Sequence, residues 1–157
     1  METAQKLEIK ASLKIQKPIH EVFEGIVDPE KMKNYFIVKS SGRIEEGKTL
    51  TWEFSEVDMQ FPVRVRKVES DKFISFEWDD LDGTATTVEM TFTNKQDGTL
   101  VTVIEKSRDN DQAGIDWLKR NTEGWANFLA CLKAYLEYGI NLRKGAFDIS
   151  QMPELQS

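Results

Sequence analysis

Four glutamates in strand-like stretches are the first candidates for acid–base or ligand-orienting chemistry. Glu53, Glu77, Glu89 and Glu105 each lie where apolar and polar residues alternate, which is typical of a β-strand. The first three occupy the parity opposite to their apolar neighbours. Alternation therefore predicts that these three face solvent on the outer side of a sheet.

Glu105 has the strongest claim to an interior position. It continues the parity of Val101 and Val103, but Leu100 and Ile104 occupy the other parity, so the pattern leaves both directions open. If it points inward, we expect a ligand-orienting or acid–base role, because an unpaired buried carboxylate is costly to retain. If it points outward, it is a solvated strand residue with no such role.

Aromatic side chains supply a second candidate site. They recur in the strand patterns and in the last helix pattern, so that many of them can point into one space. Ligand pockets are lined mainly by apolar side chains with a few placed polar groups. We therefore predict a hydrophobic cavity with a ligand-binding lining of Trp52, Phe54, Phe61, Phe76, Trp78, Met90, Glu105, Trp125 and Phe128. An ordinary packed core is the alternative for most of them.

Other chemistries have little support in the sequence. The chain has one histidine, His20, and one cysteine, Cys131, with no paired Cys or His spacing of a metal site. A nucleophilic triad is disfavoured for the same reason. The sequence contains no glycine-rich phosphate loop and no dinucleotide fingerprint. We therefore predict no metal, no cofactor and no catalytic residue.

Composition and charge narrow the function classes further. A chain of 157 residues, 39% hydrophobic and 31% charged, is typical of one folded domain. Its formal net charge of −6 argues against a nucleic-acid partner, which requires a basic face. No apolar run approaches the roughly 18 residues of a membrane span, and the N-terminus lacks the apolar segment of a signal peptide. With its single cysteine, the chain is predicted to be cytoplasmic, without membrane insertion.

The elements that must position these residues are visible in the periodicity. Alternation over residues 7–15 predicts a first strand, and Pro18 and the pair Asp28-Pro29 predict the starts of two short helices. Alternating runs then fill residues 48–108. They are separated by turn signals at Glu46-Gly47, Ser70-Asp71, Asp82-Gly83 and Asp97-Gly98. Connections this short predict an antiparallel meander.

A long helix is predicted after the last strand. Its apolar stripe at helical spacing comprises Ile115, Leu118, Trp125, Phe128, Leu129, Leu132 and Leu136. Asp109, Asn110 or Asp111 is the candidate N-cap, and Gly139 or Gly145 the candidate end. Because a stripe of this kind must be buried, the helix is expected to pack on the sheet and to enclose the aromatic residues.

Two stretches resemble a known family in their residues and separation. They comprise Val22-Phe23-Glu24-Gly25-Ile26, Asp28-Pro29-Glu30 and Tyr35-Phe36 near the start, and Gly124-Trp125, Leu129, Leu132-Lys133 and Tyr135-Leu136-Glu137 near the end. This arrangement resembles the activator of heat-shock protein 90 ATPase homologue family, over roughly residues 6–140. That family lies in the START-like, or Bet v 1-like, superfamily, also termed SRPBCC or polyketide-cyclase-like.

The resemblance implies both a fold and a function. The fold is an α+β helix-grip domain over residues 1–145, a curved antiparallel sheet around a long C-terminal helix, with a tail over 146–157. The first function implied is non-catalytic binding of a small hydrophobic or amphipathic molecule. In the founding members, which are co-chaperones, this module is the C-terminal domain.

The resemblance leaves two alternatives to small-molecule binding. One is a protein-interaction module that modulates a chaperone ATPase. The other is an enzyme of the cyclase or dehydratase type that uses a carboxylate and a tyrosine in the pocket. The expected partner is a small hydrophobic molecule or a chaperone, bound by a monomer or homodimer.

Overall fold

The chain folds as an antiparallel sheet that carries one long helix. The structure, a computed structural model, describes residues 5–54 and 59–146. Its elements are β1 (Lys6–Ile15), α1 (Ile19–Val27), α2 (Pro29–Met32), β2 (Lys39–Ser40), β3 (Thr49–Glu53), β4 (Gln60–Glu69), β5 (Phe73–Asp79), β6 (Ala85–Lys95), β7 (Gly98–Asp109) and α3 (Gln112–Tyr138). Within the described residues the sheet has seven strands in the order β1-β7-β6-β5-β4-β3-β2. The predicted helix-grip fold is confirmed.

The meander follows from its turn residues. Gly83 lies in the β5–β6 turn with a φ of 85°, a conformation that glycine adopts without steric cost. Between β6 and β7, Gly98 approaches the end of β1 so closely that a Cβ there would lie 2.3 Å from the carbonyl oxygen of Ile15. Strand β1 pairs along β7, with Ile15 opposite Thr99. The first strand therefore becomes one edge of the sheet, beside the last strand.

Side chains and proline mark the helix ends at the predicted places. Pro29 is the first residue of α2, and the Asp28 carboxylate accepts a hydrogen bond from the Glu30 backbone N–H at 2.9 Å. Of the three candidate caps of α3, Asp111 is the one used, and its carboxylate accepts from the Gly114 N–H at 2.8 Å. The helix ends at Gly139 in the left-handed conformation.

The buried face of α3 differs from the predicted stripe at its first turns. Ile115 is 37% exposed, so its assignment to the buried stripe was wrong, whereas Trp117 is fully buried. Gly114 sets this rotation, because a Cβ there would lie 1.9 Å from the Asp109 carbonyl oxygen. A helical step of about 100° from Gly114 turns Ile115 toward solvent, and the third step brings Trp117 back to the sheet.

Side chains of α3 also pair with the backbone of the edge strand. The Lys133 ammonium donates to the Lys14 carbonyl at 3.1 Å, and the Glu137 carboxylate accepts from the Gln16 N–H at 2.8 Å. These bonds satisfy backbone groups that an edge strand otherwise leaves unpaired. They also fix the position of the helix along β1, which determines the residues of α3 that face β7.

Two predictions concern the ends of the chain and the membrane. Residues 147–157, nearly all of the predicted tail, lie outside the described residues, so the domain boundary near residue 145 stays a prediction. Within the described part, none of the helices is long and apolar enough to cross a membrane.

Candidate functional site: a buried carboxylate beside an aromatic cluster

Glu105 points into the interior. Along β7, Val101, Val103 and Glu105 are buried, whereas Leu100 and Ile104 on the other face keep part of their surface exposed. Glu105 has no exposed surface. Strand β7 lies between β1 and β6, and α3 covers its inner face. The direction that the sequence left open is therefore decided by the packing of the helix.

Hydrogen-bond donors surround the Glu105 carboxylate. Oε1 accepts from Trp125 Nε1 at 2.8 Å and from Asn121 Nδ2 at 3.0 Å. Oε2 accepts from Thr86 Oγ1 at 2.6 Å, Trp78 Nε1 at 2.9 Å and Trp117 Nε1 at 3.4 Å. An ionised carboxylate offers about four lone-pair directions, so these donors occupy both oxygens fully. We call this group the carboxylate cage; its members are Glu105, Trp78, Thr86, Trp117, Asn121 and Trp125.

The cage arises from strand register and helix periodicity. Trp78 and Thr86 are cross-strand partners on β5 and β6. On α3, Trp117, Asn121 and Trp125 are spaced four residues apart, so they lie on one face of the helix. Three strands and one helix thus each contribute to the group around one carboxylate.

Trp78 and Trp125 connect the cage to a larger group of rings. Their ring centroids are 5.6 Å apart, and Trp125 is 5.3 Å from Phe128. Phe36 joins this group at 4.7 Å from Phe128 and 5.1 Å from Phe54. We call the whole set the aromatic cluster; it comprises Phe36, Trp52, Phe54, Phe61, Phe76, Trp78, Trp125 and Phe128. Centroid separations of 4.5–7 Å are those of favourable aromatic pairs.

The structure brings the predicted lining residues together with different degrees of exposure. Trp52, Phe76, Trp125 and Phe128 are buried, and Met90 is buried in β6 opposite Val103. A second group keeps part of its surface exposed and consists of Phe54, Phe61 and Trp78. These three form the outer border of the cluster, near the end of β3, the start of β4 and the end of β5.

A cation lies on the faces of two rings at this border. The guanidinium carbon of Arg143 is 5.3 Å from the centroid of Phe36 and 5.6 Å from that of Phe54. Both distances lie within the roughly 6 Å of a cation–π contact. The segment that follows α3 therefore covers part of the aromatic cluster.

A group of charged side chains adjoins the cage. Arg120 donates to Asp80 at 2.6 Å, Arg108 also donates to Asp80, and Arg108 donates to Asp82 at 2.8 Å. The side chains of Asp80 and Arg108 are each 8% exposed. The Arg108 guanidinium, together with the Thr84 N–H, holds the pKa of Asp82 well below its usual range. We call these two aspartates and two arginines the ion cluster.

The other glutamates face outward, as alternation predicts. Glu53, Glu77 and Glu89 are each about one-third exposed and lie within 4 Å of Lys39, Arg66 and Lys106, respectively. His20, at the start of α1, is exposed and lies 2.9 Å from Asp71. Cys131 is buried on α3. In the part of the chain that the structure describes, no group of His, Cys, Asp and Glu side chains is arranged to hold a metal ion.

Sequence reasoning missed half of the carboxylate cage. Thr86, Trp117 and Asn121 were not among the predicted site residues, nor was Phe36. The spacing of Trp117, Asn121 and Trp125 was a usable signal, since two tryptophans and an amide repeat every four residues. A second signal was that Trp78 and Thr86 lie four residues on either side of Asp82 in the hairpin turn, so antiparallel pairing places them opposite each other.

The family assignment follows from the sequence pattern over this same region. Residues 16–137 match the family described as Activator of Hsp90 ATPase homolog 1-like protein. The chain belongs to this family. The matched residues run from the end of β1 almost to the end of α3, and they contain the whole carboxylate cage and aromatic cluster. Among curated proteins, none matches the chain.

Solved structures of other proteins resemble this family member. Protein SSP2350 from Staphylococcus saprophyticus is 35% identical, with a TM-score of 0.77 over 87% of this chain and 96% of that one. DynU16, a putative protein in the dynemicin biosynthetic locus, is 25% identical with a TM-score of 0.76 over 85% of this chain and 48% of its own. The Aha1 dimer from Colwellia psychrerythraea is 18% identical, with a TM-score of 0.74 over 85% and 98%. The last similarity shows the fold alone.

Proposed function

We propose that this member of the family binds a small apolar molecule containing a ring, without catalysis, against the aromatic cluster between the sheet and α3. The observation that carries the proposal is the convergence of three indole N–H groups on Glu105. These bonds hold the rings at fixed orientations. A rigid aromatic surface with few polar groups is the usual lining of a ligand site.

Preorganisation is the physical advantage of this arrangement. Tryptophan side chains that must be immobilised on binding lose rotamer freedom at that step, which weakens affinity. Here Trp78 and Trp125 are already fixed through hydrogen bonds to Glu105 of 2.9 and 2.8 Å. Trp78 also retains exposed surface. We propose that a ligand first contacts the border formed by Trp78, Phe54 and Phe61.

The same geometry supports binding over catalysis. A general base must offer a lone pair to the proton that it removes. Both oxygens of Glu105 already accept hydrogen bonds from side chains of the protein. We therefore propose that Glu105 is a positioning residue that holds the rings, and that the predicted aromatic residues make the ligand contacts.

Tryptophan resonances provide a direct test. All four tryptophans of the chain lie in the cage or the cluster. Titration with naphthalene is expected to shift the indole N–H signals of Trp78 and Trp125 in a saturable manner. Phe61→Leu should weaken this binding several-fold. The matched control is Phe73→Leu, another half-buried strand phenylalanine, which should leave the binding unchanged. The absence of saturable shifts would contradict the proposal.

A second candidate function rests on exposed apolar side chains at the end of α3. Tyr138 is 69% exposed, Ile140 51% and Leu142 50%, all within five residues. Exposed apolar groups in one place are typical of protein contact sites. Together with the family description, they favour a module that modulates a chaperone ATPase.

This second candidate is tested with a purified Hsp90. The wild-type protein is expected to change the ATPase rate, and the double variant Ile140→Ser, Leu142→Ser to lose that effect while retaining naphthalene binding. An unchanged rate with the wild-type protein would refute the candidate. The oligomeric state and cytoplasmic location stay predictions.

A further inference from the structure

The charge of the ligand can be inferred from the group that holds the rings. We infer that the aromatic cluster selects a cationic ligand, namely a weakly hydrated ammonium such as a quaternary amine attached to a ring. The inference rests on the proposed binding function and names the chemical class of its ligand.

The first observation concerns the charge of the cage. The side chains that hydrogen-bond to Glu105 are indoles, an amide and a hydroxyl, all neutral. Arg108 and Arg120 are close in sequence to Glu105 and Asn121, but their guanidinium groups donate to Asp80 and Asp82. Among the hydrogen bonds of residues 5–54 and 59–146, none joins a cation to Glu105. Neutral donors therefore stabilise the carboxylate charge of Glu105, and none of these hydrogen bonds brings a positive charge to neutralise it.

The second observation concerns the rings that carry these bonds. A hydrogen bond from an indole N–H to an anion shifts electron density toward the indole ring. Hydrogen bonds of this kind are stronger in a low-dielectric interior. The face of an indole is already the most attractive aromatic face for a cation. Trp78 donates to Glu105 at 2.9 Å and keeps part of its surface exposed. A cation near that ring gains both the cation–π attraction and the long-range attraction of the carboxylate.

The third observation is that the protein already places a cation on this cluster. Arg143 covers Phe36 and Phe54 with its guanidinium. The Phe36 ring lies 6.3 Å from the Trp125 ring, and Trp125 donates to Glu105 at 2.8 Å. Two rings thus separate the guanidinium from the carboxylate. We take Arg143 as an internal occupant of the position that a soluble cation would share or replace.

These observations also restrict the type of cation. A guanidinium or a quaternary ammonium is weakly hydrated, whereas a primary ammonium keeps its water strongly. The cationic ligand must also carry apolar groups around its charge, because the neighbouring side chains of the protein are aromatic rings. A benzyl-substituted quaternary amine satisfies both conditions.

The test compares probes of the same shape and different charge. Benzyltrimethylammonium and neopentylbenzene differ in one central atom, nitrogen or carbon, and hence in charge, while phenylmethanesulfonate supplies an anion. Binding is measured from the indole N–H resonances. The cation is expected to bind about tenfold more tightly than the neutral probe, and the anion more weakly than both.

Two variants locate the source of the preference. Glu105→Gln keeps the shape of the side chain and removes its charge, so the preference for the cation over the neutral probe should fall several-fold, to the part that the ring faces alone supply. Arg143→Gln removes the internal cation, so the affinity for benzyltrimethylammonium should rise several-fold. The control Lys144→Gln removes the neighbouring exposed charge and should leave the affinity unchanged. If Glu105→Gln does not fold, the Arg143 and Lys144 pair still decides the question.

The outcomes separate this inference from the function on which it rests. If neopentylbenzene binds as tightly as the cation, the inference is overturned and the proposed binding function stands. If neither binds saturably, both are overturned. A cation preference that persists unchanged in Glu105→Gln, with no gain in Arg143→Gln, also overturns it.

Discussion

Two buried carboxylates lie close together in this domain and are stabilised in different ways. Glu105 is fully buried and accepts from neutral donors, whereas Asp80, 8% exposed, accepts from two arginines. Neighbouring parts of the fold supply both groups: the end of β5 and the turn that follows it, strand β7, and α3, where Arg120 and Asn121 are consecutive residues. In the ion cluster the charges cancel locally. In the carboxylate cage the negative charge remains and orders three indoles.

The difference indicates a division of roles. Paired charges attach the β5–β6 turn to α3. They align these two elements, but because they cancel each other they leave no net charge to act on a ligand. The cage uses a single charge to set the direction of large rings, and those rings form part of a surface on which a ligand can lie. Burying a charge without a counter-charge is costly, so a close match between acceptor and donors is required for it to persist.

Removal of the Glu105 carboxylate is expected to have the largest effect. Glu105→Ala leaves several buried donors without an acceptor, which should lower the free energy of unfolding by about 4 kcal/mol or more. Glu105→Gln keeps the shape but turns an N–H₂ group toward other donors, so a loss of about 2 kcal/mol is expected. Urea unfolding monitored by circular dichroism measures both. A loss below about 1 kcal/mol for the alanine variant would show that the buried donors of the cage do not require the Glu105 carboxylate as their acceptor.

Trp125 separates ring packing from hydrogen bonding. Because this side chain is 3% exposed, Trp125→Ala should cost about 3–5 kcal/mol. The N–H contribution is isolated by comparing Trp125→Phe, which loses a bond of 2.8 Å, with Trp117→Phe, which loses one of 3.4 Å. We expect the loss at Trp125 to be the larger by about 1 kcal/mol. Equal losses would mean that packing alone determines these positions.

Asp80→Asn tests the ion cluster. Arg108 retains Asp82 as a partner, so we expect a loss of about 2–3 kcal/mol, at the lower end for a broken buried pair. The control Asp82→Asn removes a half-exposed partner and should cost less than about 1 kcal/mol. If the ion cluster only aligns the β5–β6 turn with α3, the folded Asp80→Asn variant should keep the preference of the aromatic cluster for the cationic over the neutral probe. Loss of the preference for the cation would show that the ion cluster also contributes to ligand selection.

Glu137 offers the smallest effect and a dependence on pH. Burial raises its pKa, but hydrogen bonds from the Gln16 N–H and the Lys133 ammonium outweigh this and lower the pKa overall. Its stabilisation is therefore complete above the ordinary glutamate pKa of about 4.3 and is lost as pH falls through the lower folded-state value. Urea unfolding at pH 7 should place Glu137→Gln about 1 kcal/mol below the wild-type protein. A gap that does not narrow toward pH 3 would contradict this.

Much of the fold could be predicted because local chemistry specifies it. Asp28 with Pro29 starts α2, Asp111 caps α3, and Asp82-Gly83 turns the chain between β5 and β6. Alternation correctly directed Glu53, Glu77 and Glu89 outward. Each of these features depends on a few neighbouring residues, so a single sequence contains the necessary information.

The site was less accessible to prediction. The sequence indicated the aromatic residues by type, but it placed Ile115 on the buried stripe of α3 and omitted Trp117. A helix stripe has an angular uncertainty of about one residue, or 100°. Only the close contact of Gly114 with Asp109 resolves that uncertainty, and this is a contact between α3 and the end of β7.

By itself, then, the sequence determined the order of elements, the helix caps, the turns and the outward face of the sheet. Tertiary structure alone decided which way Glu105 points and which side chains donate to it. The physical reason is that β7 has apolar residues on both parities, so the covered face is set by the helix that packs on it. Its donors come from β5, β6 and α3, up to 27 residues away along the chain. Their convergence depends on strand register and helix rotation together, which no local pattern encodes.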